Sequence, residues 1–208
     1  MPTVSLMAQN AKPTVVVDAI EAGLLVKARG GDRLAFEEIV KRYQRRVYGV
    51  AFRIVRRHDV ADDVAQDTFI RAHRALGSFD LSRPFGPWVC RIAANLSVNH
   101  TRSPEAREEG LPEGHAETPS AAAGPLDGVL DAEARQVLDA ALARLPAEQR
   151  AVFVLRAIEE LSYKEIADAL EISLGTVMSR LSRAREKLRE ALLPYIGPAA
   201  RRAGGAKA

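Results

Sequence analysis

The chain has 208 residues and carries 30 Lys and Arg against 27 Asp and Glu, so its net charge of +3 implies no particular partner by itself. Its one cysteine, Cys90, excludes an intramolecular disulfide, and no Cys/His group has zinc-ligand spacing, so neither a metal nor another cofactor is expected. No run approaches the roughly 18 uncharged apolar residues of a membrane span, and MPTVSLMAQNAKPTVVVDAI lacks a signal peptide's basic start and apolar stretch, so the expectation is a soluble cytoplasmic protein with no membrane insertion.

Residues 1–19 show no periodicity and are expected to form a disordered tail. From Glu21 a helical pattern begins with Leu24, Leu25 and Ala28, and Gly30-Gly31 interrupts it. Asp32 stands where an N-cap would, its carboxylate able to accept from the free N–H groups of the next turn. Ile39, Val40, Tyr43, Val47, Val50, Ala51 and Ile54 then recur at three- and four-residue steps, the buried stripe of one long helix. Arg56-Arg57-His58 places positive charge at that helix's C-terminal end, and Asp59 is expected to cap the next. The next helix buries Val60, Val64, Phe69 (or Ile70) and Leu76, and Gly77 is expected to stop it. A loop, GSFDLSRPFG, leads to Pro87 in the first turn of a helix carrying Trp88, Val89, Ile92, Ala93, Leu96 and Val98 inward. These four helices form an expected unit at residues 20–102.

Residues 103–130 change to Pro, Gly, Ala, Ser and Glu, with six acidic residues against only Arg107, and are expected to be a flexible acidic linker. A second helical unit is expected at 131–193. Val137, Leu138, Ala141, Leu142 and Leu145 open it, and Pro146 starts a helix with Val152, Phe153, Leu155 and Ile158 facing in. Ser162 and Glu165 have capping-box spacing, Ile166, Ala167 and Leu170 form a buried face, and Glu171-Ile172-Ser173 is a three-residue turn. Val177, Leu181, Ala184 and Leu188 fix the inward side of the last helix, which leaves Thr176, Ser179, Arg180, Arg183 and Lys187 outside. Residues 194–208, rich in Ala, Gly and basic side chains, are expected to be a disordered tail. The fold class is therefore all-α, two small helical domains joined by a linker.

A basic amphipathic helix is most often a solvated edge of a bundle. Here the cap, the small Ala167, the turn length and the Ser/Thr/Arg face coincide, which is how a helix-turn-helix reader of the major groove is built. Arg can bridge guanine O6 and N7 or hold phosphates, and Ser or Thr can bond to base or backbone.

LARLPAEQRAVFVLRAIEELSYKEIADALEISLGTVMSRLSRAREKLR resembles the C-terminal domain of bacterial RNA polymerase sigma factors of the extracytoplasmic-function group. GDRLAFEEIVKRYQRRVYGVAFRIV, DVADDVAQDTFIRAHRAL and PWVCRIAANLSVN resemble that group's sigma-2 domain in order and spacing. The resemblance implies an alternative sigma factor that binds core polymerase through the β′ clamp and β flap, recognises the −35 and −10 promoter elements and promotes DNA melting. It implies core contacts at Asp63, Gln66 and Asp67, and −10 contacts at Phe79, Trp88, Asn95 and Asn99. On the −35 element it implies Arg156, Ser179 and Arg183, with Arg180 and Arg185 as phosphate contacts and Thr176, Met178 and Ser182 on the same reading helix. Met178 departs from the family, which often has Lys or Arg there, and Ser182 is small at another variable reading position. The resemblance also implies an anti-sigma partner.

A stand-alone helix-turn-helix regulator, with residues 20–102 as a sensor domain, is the alternative. An enzyme would need a carboxylate cluster, metal ligands or an activated nucleophile, and none has credible spacing, so no catalytic residue is expected. Cys90, one thiol in an apolar helix, is expected to be packing rather than a redox sensor.

Overall fold

The computed structural model describes residues 19–103 and 132–193. The expected tails and linker lie outside them, apart from Ala19 and Ser103. Among the described residues there are eight α-helices and no strand. The first four are α1 (Ala19–Arg29), α2 (Arg33–Val55), α3 (His58–Ala75) and α4 (Phe85–Arg102), with a 3-10 turn at Leu76–Ser78 between α3 and α4. The second four are α5 (Ala132–Ala143), α6 (Ala147–Ala157), α7 (Tyr163–Leu170) and α8 (Leu174–Leu192).

Asp32 caps α2 as its position predicts, accepting from the Ala35 N–H at 3.1 Å. The long helix ends differently from the expectation. Arg56 turns into the left-handed region (φ 63°) and its N–H donates to the Phe52 carbonyl. His58 opens α3 rather than closing α2, and Asp59 lies inside the first turn, its carboxylate accepting from Arg57. Gly77 is not a helix stop either. It lies within the 3-10 turn, and among the described glycines only Gly31 has a positive φ. Of the two alternatives on α3, Phe69 is buried and Ile70 faces solvent.

Helix α2 is the axis of the first unit and packs against α1, α3 and α4. Gly86 of α4 makes a close approach possible here: a Cβ added there would meet Arg46 Nη1 at 2.6 Å and Tyr43 Cε1 at 3.0 Å. Small and β-branched side chains elsewhere on α4 (Val89, Cys90, Ala93, Ala94) are fully buried against the same helix layer.

The two units do not stand apart. Helix α6 contacts α8 in its own unit and both α2 and α4 in the other, and α7 contacts α4. Its apolar stripe accordingly widens. Ala151, Val152, Val154 and Leu155 are all fully buried, whereas Phe153 is only half-buried. One apolar cluster runs from Leu25 and Ile39 to Val177 and Leu181, across the seam between the units.

The seam has a polar centre. Arg150, on α6, is 1% exposed and is the bulkiest fully buried side chain. Its Nε donates to the Ile54 carbonyl at 2.9 Å, where α2 ends. Its Nη1 donates to the carbonyls of Leu142, Ala143 and Leu145 at 3.1–3.3 Å, where α5 ends. The last carbonyls of a helix have no partner within it and carry its negative dipole end, so one guanidinium satisfies both ends at once. Burial lowers the Arg150 pKa to about 10, which still leaves it charged at neutral pH.

Replacing Arg150 by Leu should leave those carbonyls buried and unpaired and lower the unfolding free energy of the full chain by about 3 kcal/mol. Arg150→Lys should recover only part of this, because an ammonium cannot span both helix ends. Urea titration followed by circular dichroism measures both, and equal midpoints for all three proteins would refute the assignment.

Candidate nucleic-acid interface

The α7–α8 pair is held by three local caps. Ser162 Oγ accepts from the Glu165 N–H at 3.3 Å while Glu165 Oε2 accepts from the Ser162 N–H at 2.9 Å, a complete capping box. Glu171 reverses the chain in the left-handed region (φ 53°), its N–H returning to the Ala167 carbonyl. Ser173 then caps α8, accepting from the Thr176 N–H at 3.1 Å. Val177, Leu181, Ala184 and Leu188 are buried, which turns the rest of α8 outward.

The outward residues fall into two groups. Ser179, Ser182, Arg183, Arg185, Lys187 and Arg189 are exposed, as are Leu174 and Met178. Three others expected on the reading face are braced. Arg180 is largely covered and its guanidinium pairs with Glu148 of α6. Glu148 also accepts from Arg102 Nε at 2.9 Å, so this carboxylate joins α8 to the end of α4. Arg156 is half-buried, donates to the Leu161 carbonyl at 3.0 Å and lies over the Tyr163 ring. Thr176 is half-buried with its hydroxyl 2.9 Å from Ser173 Oγ.

In the first unit, Asp63, Gln66 and Asp67 are all exposed on one side of α3, opposite Val60, Ala61, Val64 and Ala72. Ile70 continues that side and enters a shallow cleft of about 280 Å³ with Phe36, Phe69, His73 and Arg74. Phe79 is buried rather than presented. Its ring centroid lies 5.7 Å from Phe85 and 4.6 Å from Trp88, and its carbonyl accepts from Arg29. Trp88 is half-buried and borders an open groove of about 520 Å³ with Arg71, Arg91 and Asn95 on one wall. The other wall is Asp168, Ala169 and Glu171 of the second unit. Across it, Asn95 Nδ2 donates to the Ala169 carbonyl at 2.9 Å. Asn99, exposed, donates to Asn95 Oδ1 at 2.8 Å.

Sequence reasoning passes over Arg46, Glu148, Arg150 and Glu159. Glu159 is 5% exposed and accepts from Arg46 Nε at 2.8 Å, another bond across the seam. One signal for this was legible: Ala151-Val152-Phe153-Val154-Leu155 is apolar all round α6, the mark of a helix covered on both sides. Among the described residues no group of His, Cys, Asp and Glu is placed to hold a metal, and no helix is long and apolar enough to cross a membrane.

Residues 39–107 match the family description "Sigma-70 region 2" and residues 135–188 match "Sigma-70, region 4". The chain is 35% identical over 175 residues to the ECF RNA polymerase sigma factor SigW of Bacillus subtilis, covering 80% of this chain and 93% of that one. It is 36% identical over 187 residues to the RNA polymerase sigma-H factor of Pseudomonas aeruginosa (83% and 94% covered). Among solved structures it is similar to CnrH in complex with the cytosolic domain of CnrY, at 31% identity and a TM-score of 0.55, covering 85% of this chain and 98% of that one. The sigma factor RpoE in complex with the anti-sigma factor NepR, from Bartonella quintana, aligns at 27% identity and a TM-score of 0.57, with 76% and 96% covered.

Cys90 is fully buried beside the Arg46–Glu159 pair, and burial pushes its thiol well above the usual range. Iodoacetamide should therefore leave Cys90 unmodified in native buffer and alkylate it fully in concentrated guanidinium; prompt native labelling, read by mass spectrometry, would contradict the packing.

Proposed function

The chain belongs to the extracytoplasmic-function group of the sigma-70 family and is an alternative RNA polymerase sigma factor, and from that premise we propose that α3 docks on core polymerase while α4 and α8 read the two promoter elements. The working units are residues 20–102 and 131–193. Asp63, Gln66 and Asp67 meet the β′ clamp, and the second unit meets the β flap. The observation that supports this most directly is that each matched sigma-70 region presents a solvent-facing polar side of a helix: the acidic side of α3 and the Ser/Arg side of α8.

On α8, Ser179 and Arg183 read base edges of the −35 element, Arg185 holds a backbone phosphate, and Met178 and Ser182 set the local preference. Arg156, Thr176 and Arg180 work at one remove or after release from their present partners. At the −10 element, Trp88 over the Phe79–Phe85 cluster supplies an apolar platform for an unstacked base, and Asn95 with Asn99 supplies a polar edge. The protein acts by binding and strand capture, not by catalysis, in the cytoplasm.

Promoter engagement requires the seam to part. The −35 and −10 elements lie about 85 Å apart along B-form DNA, whereas a packed unit of this size measures only about 40 Å across. Asn95 is meanwhile bonded to α7, and Arg180 to α6. The 28 residues from 104 to 131 can reach at most about 95 Å, enough to tether the parted units. An anti-sigma factor that keeps the units together completes the reading, supported by the similarity to the sigma factor solved with one.

The deciding experiment is co-purification with core polymerase followed by run-off transcription from a promoter the holoenzyme selects. Joint replacement of Asp63, Gln66 and Asp67 by Ala should abolish co-purification. Arg183→Ala should keep it but cost about 1–3 kcal/mol of −35-dependent promoter affinity. Tight promoter binding by the chain alone, with no need of core polymerase, would overturn the proposal.

A further inference from the structure

We infer that Leu174 and Met178 form an apolar reading pair on α8 that takes the C5-methyl groups of thymines in the −35 element. The inference rests on α8 being the −35 reader and names the bases that part of it recognises.

Leu174 is 50% exposed and Met178 57% exposed, two of the few large apolar side chains in the described residues that face water. Spaced by four, they are neighbours on one side of the helix. Singly exposed apolar residues are ordinary, but an adjacent pair calls for an occupant. About half of each side chain is open to water among the described residues. At 100° per residue they lie between the buried Val177–Leu181–Ala184–Leu188 stripe and the small residues Gly175, Ser179 and Ser182. Nothing taller stands beside them on that small-residue side, so they are the first atoms a surface laid along it would meet.

The charges around the pair select the occupant. Arg185 and Arg189 follow on the same bearing of the helix and are exposed, with exposed Glu186 further round, while Arg183 and Lys187 face the opposite side. An apolar protein surface docked here would have to sit beside two exposed cations, Arg185 and Arg189. A duplex supplies their counter-charge as phosphates. The division along the helix has the same sense: the N-terminal half of a recognition helix meets base edges, and its far half lies by the backbone. In the major groove the thymine C5-methyl is the apolar group of the base-edge code, so it is what an apolar pair at base-edge depth can recognise. Met adapts its three torsions to the methyl's position, whereas a Lys or Arg at 178 would seek guanine or phosphate instead. Ser179, about 100° round the helix from Met178, remains free to hydrogen-bond an adjacent base, and Arg183 lies on the far side of α8 from Leu174.

The test uses holoenzyme reconstituted from the full chain and core polymerase. Duplexes with a fixed −10 element and a randomised −35 segment are selected for binding, and thymines in the selected −35 sequence are then replaced one at a time by deoxyuridine, which removes only the methyl. For the wild type, selection should enrich thymine at neighbouring positions, and deoxyuridine at each should weaken binding about fourfold, the effect of one buried methylene-sized group. Met178→Lys should select a different base at one position, and Leu174→Ala should lose the deoxyuridine effect at the other. If wild-type holoenzyme binds −35 sequences specifically yet tolerates deoxyuridine throughout, the pair does not read thymine, whatever the variants do. If the holoenzyme shows no −35 dependence at all, the inference falls together with the assignment of α8 beneath it.

Discussion

One buried guanidinium decides how this molecule is arranged. Arg150 sits where α2 of the first unit and α5 of the second both end, and it donates to the carbonyls of Ile54, Leu142, Ala143 and Leu145. Desolvating a charge is costly, and burial lowers its pKa to about 10. The cost is offset because the acceptors are helix C-termini, which otherwise have no partner and concentrate negative partial charge. Around Arg150 the remaining polar bonds fall into place: Arg46 to Glu159, Asn95 to the Ala169 carbonyl, and Glu148 between Arg102 and Arg180.

That arrangement has two faces with opposite consequences. The Ser/Arg side of α8 points to solvent while the units are packed, because the α6 contact uses the other flank, where Arg180 lies. The Asn95 side of α4 does not, since Asn95 is bonded to α7 and the second unit forms the other wall of the groove beside Trp88. Each unit also keeps an apolar cluster of its own: Ala51, Phe52, Val55, Val60, Ala61, Val64 and Leu96 in one, and Ala141, Leu142, Leu145, Ala184 and Leu188 in the other. Parting the units therefore need not dissolve either. It exposes the second face of α6 to water and exchanges the seam's hydrogen bonds for hydration, a cost that a partner binding both units would offset by differential affinity.

Much of the local structure was legible because helices announce themselves over one or two turns. The caps at Asp32 and Ser162, the three-residue turn and the buried stripe of α8 all follow from spacings of three and four. The errors have the same local character. His58 and Asp59 suit a helix end and a cap by composition, but the left-handed turn at Arg56 moves the break upstream. Gly77 suits a stop, yet the 3-10 turn ends α3 before any left-handed residue is needed.

The sequence by itself determined the all-α class, the two units and the helix-turn-helix with its outward Ser/Arg face. Those properties depend on periodicity and on side chains a few residues apart, and residue types carry that information directly. Only the tertiary structure decided which polar residues are braced and which are open. Arg180 and Arg183 look equivalent on a helical wheel, but Glu148 holds one and leaves the other exposed. Asn95 meets Ala169 from 74 residues away, Arg150 meets Ile54 from 96, and Arg46 meets Glu159 from 113. No local spacing encodes those pairings. They arise because the apolar run 151–155 of α6 must be covered by helices from both units, and the one buried cation of α6 must then find carbonyls wherever two helices happen to stop.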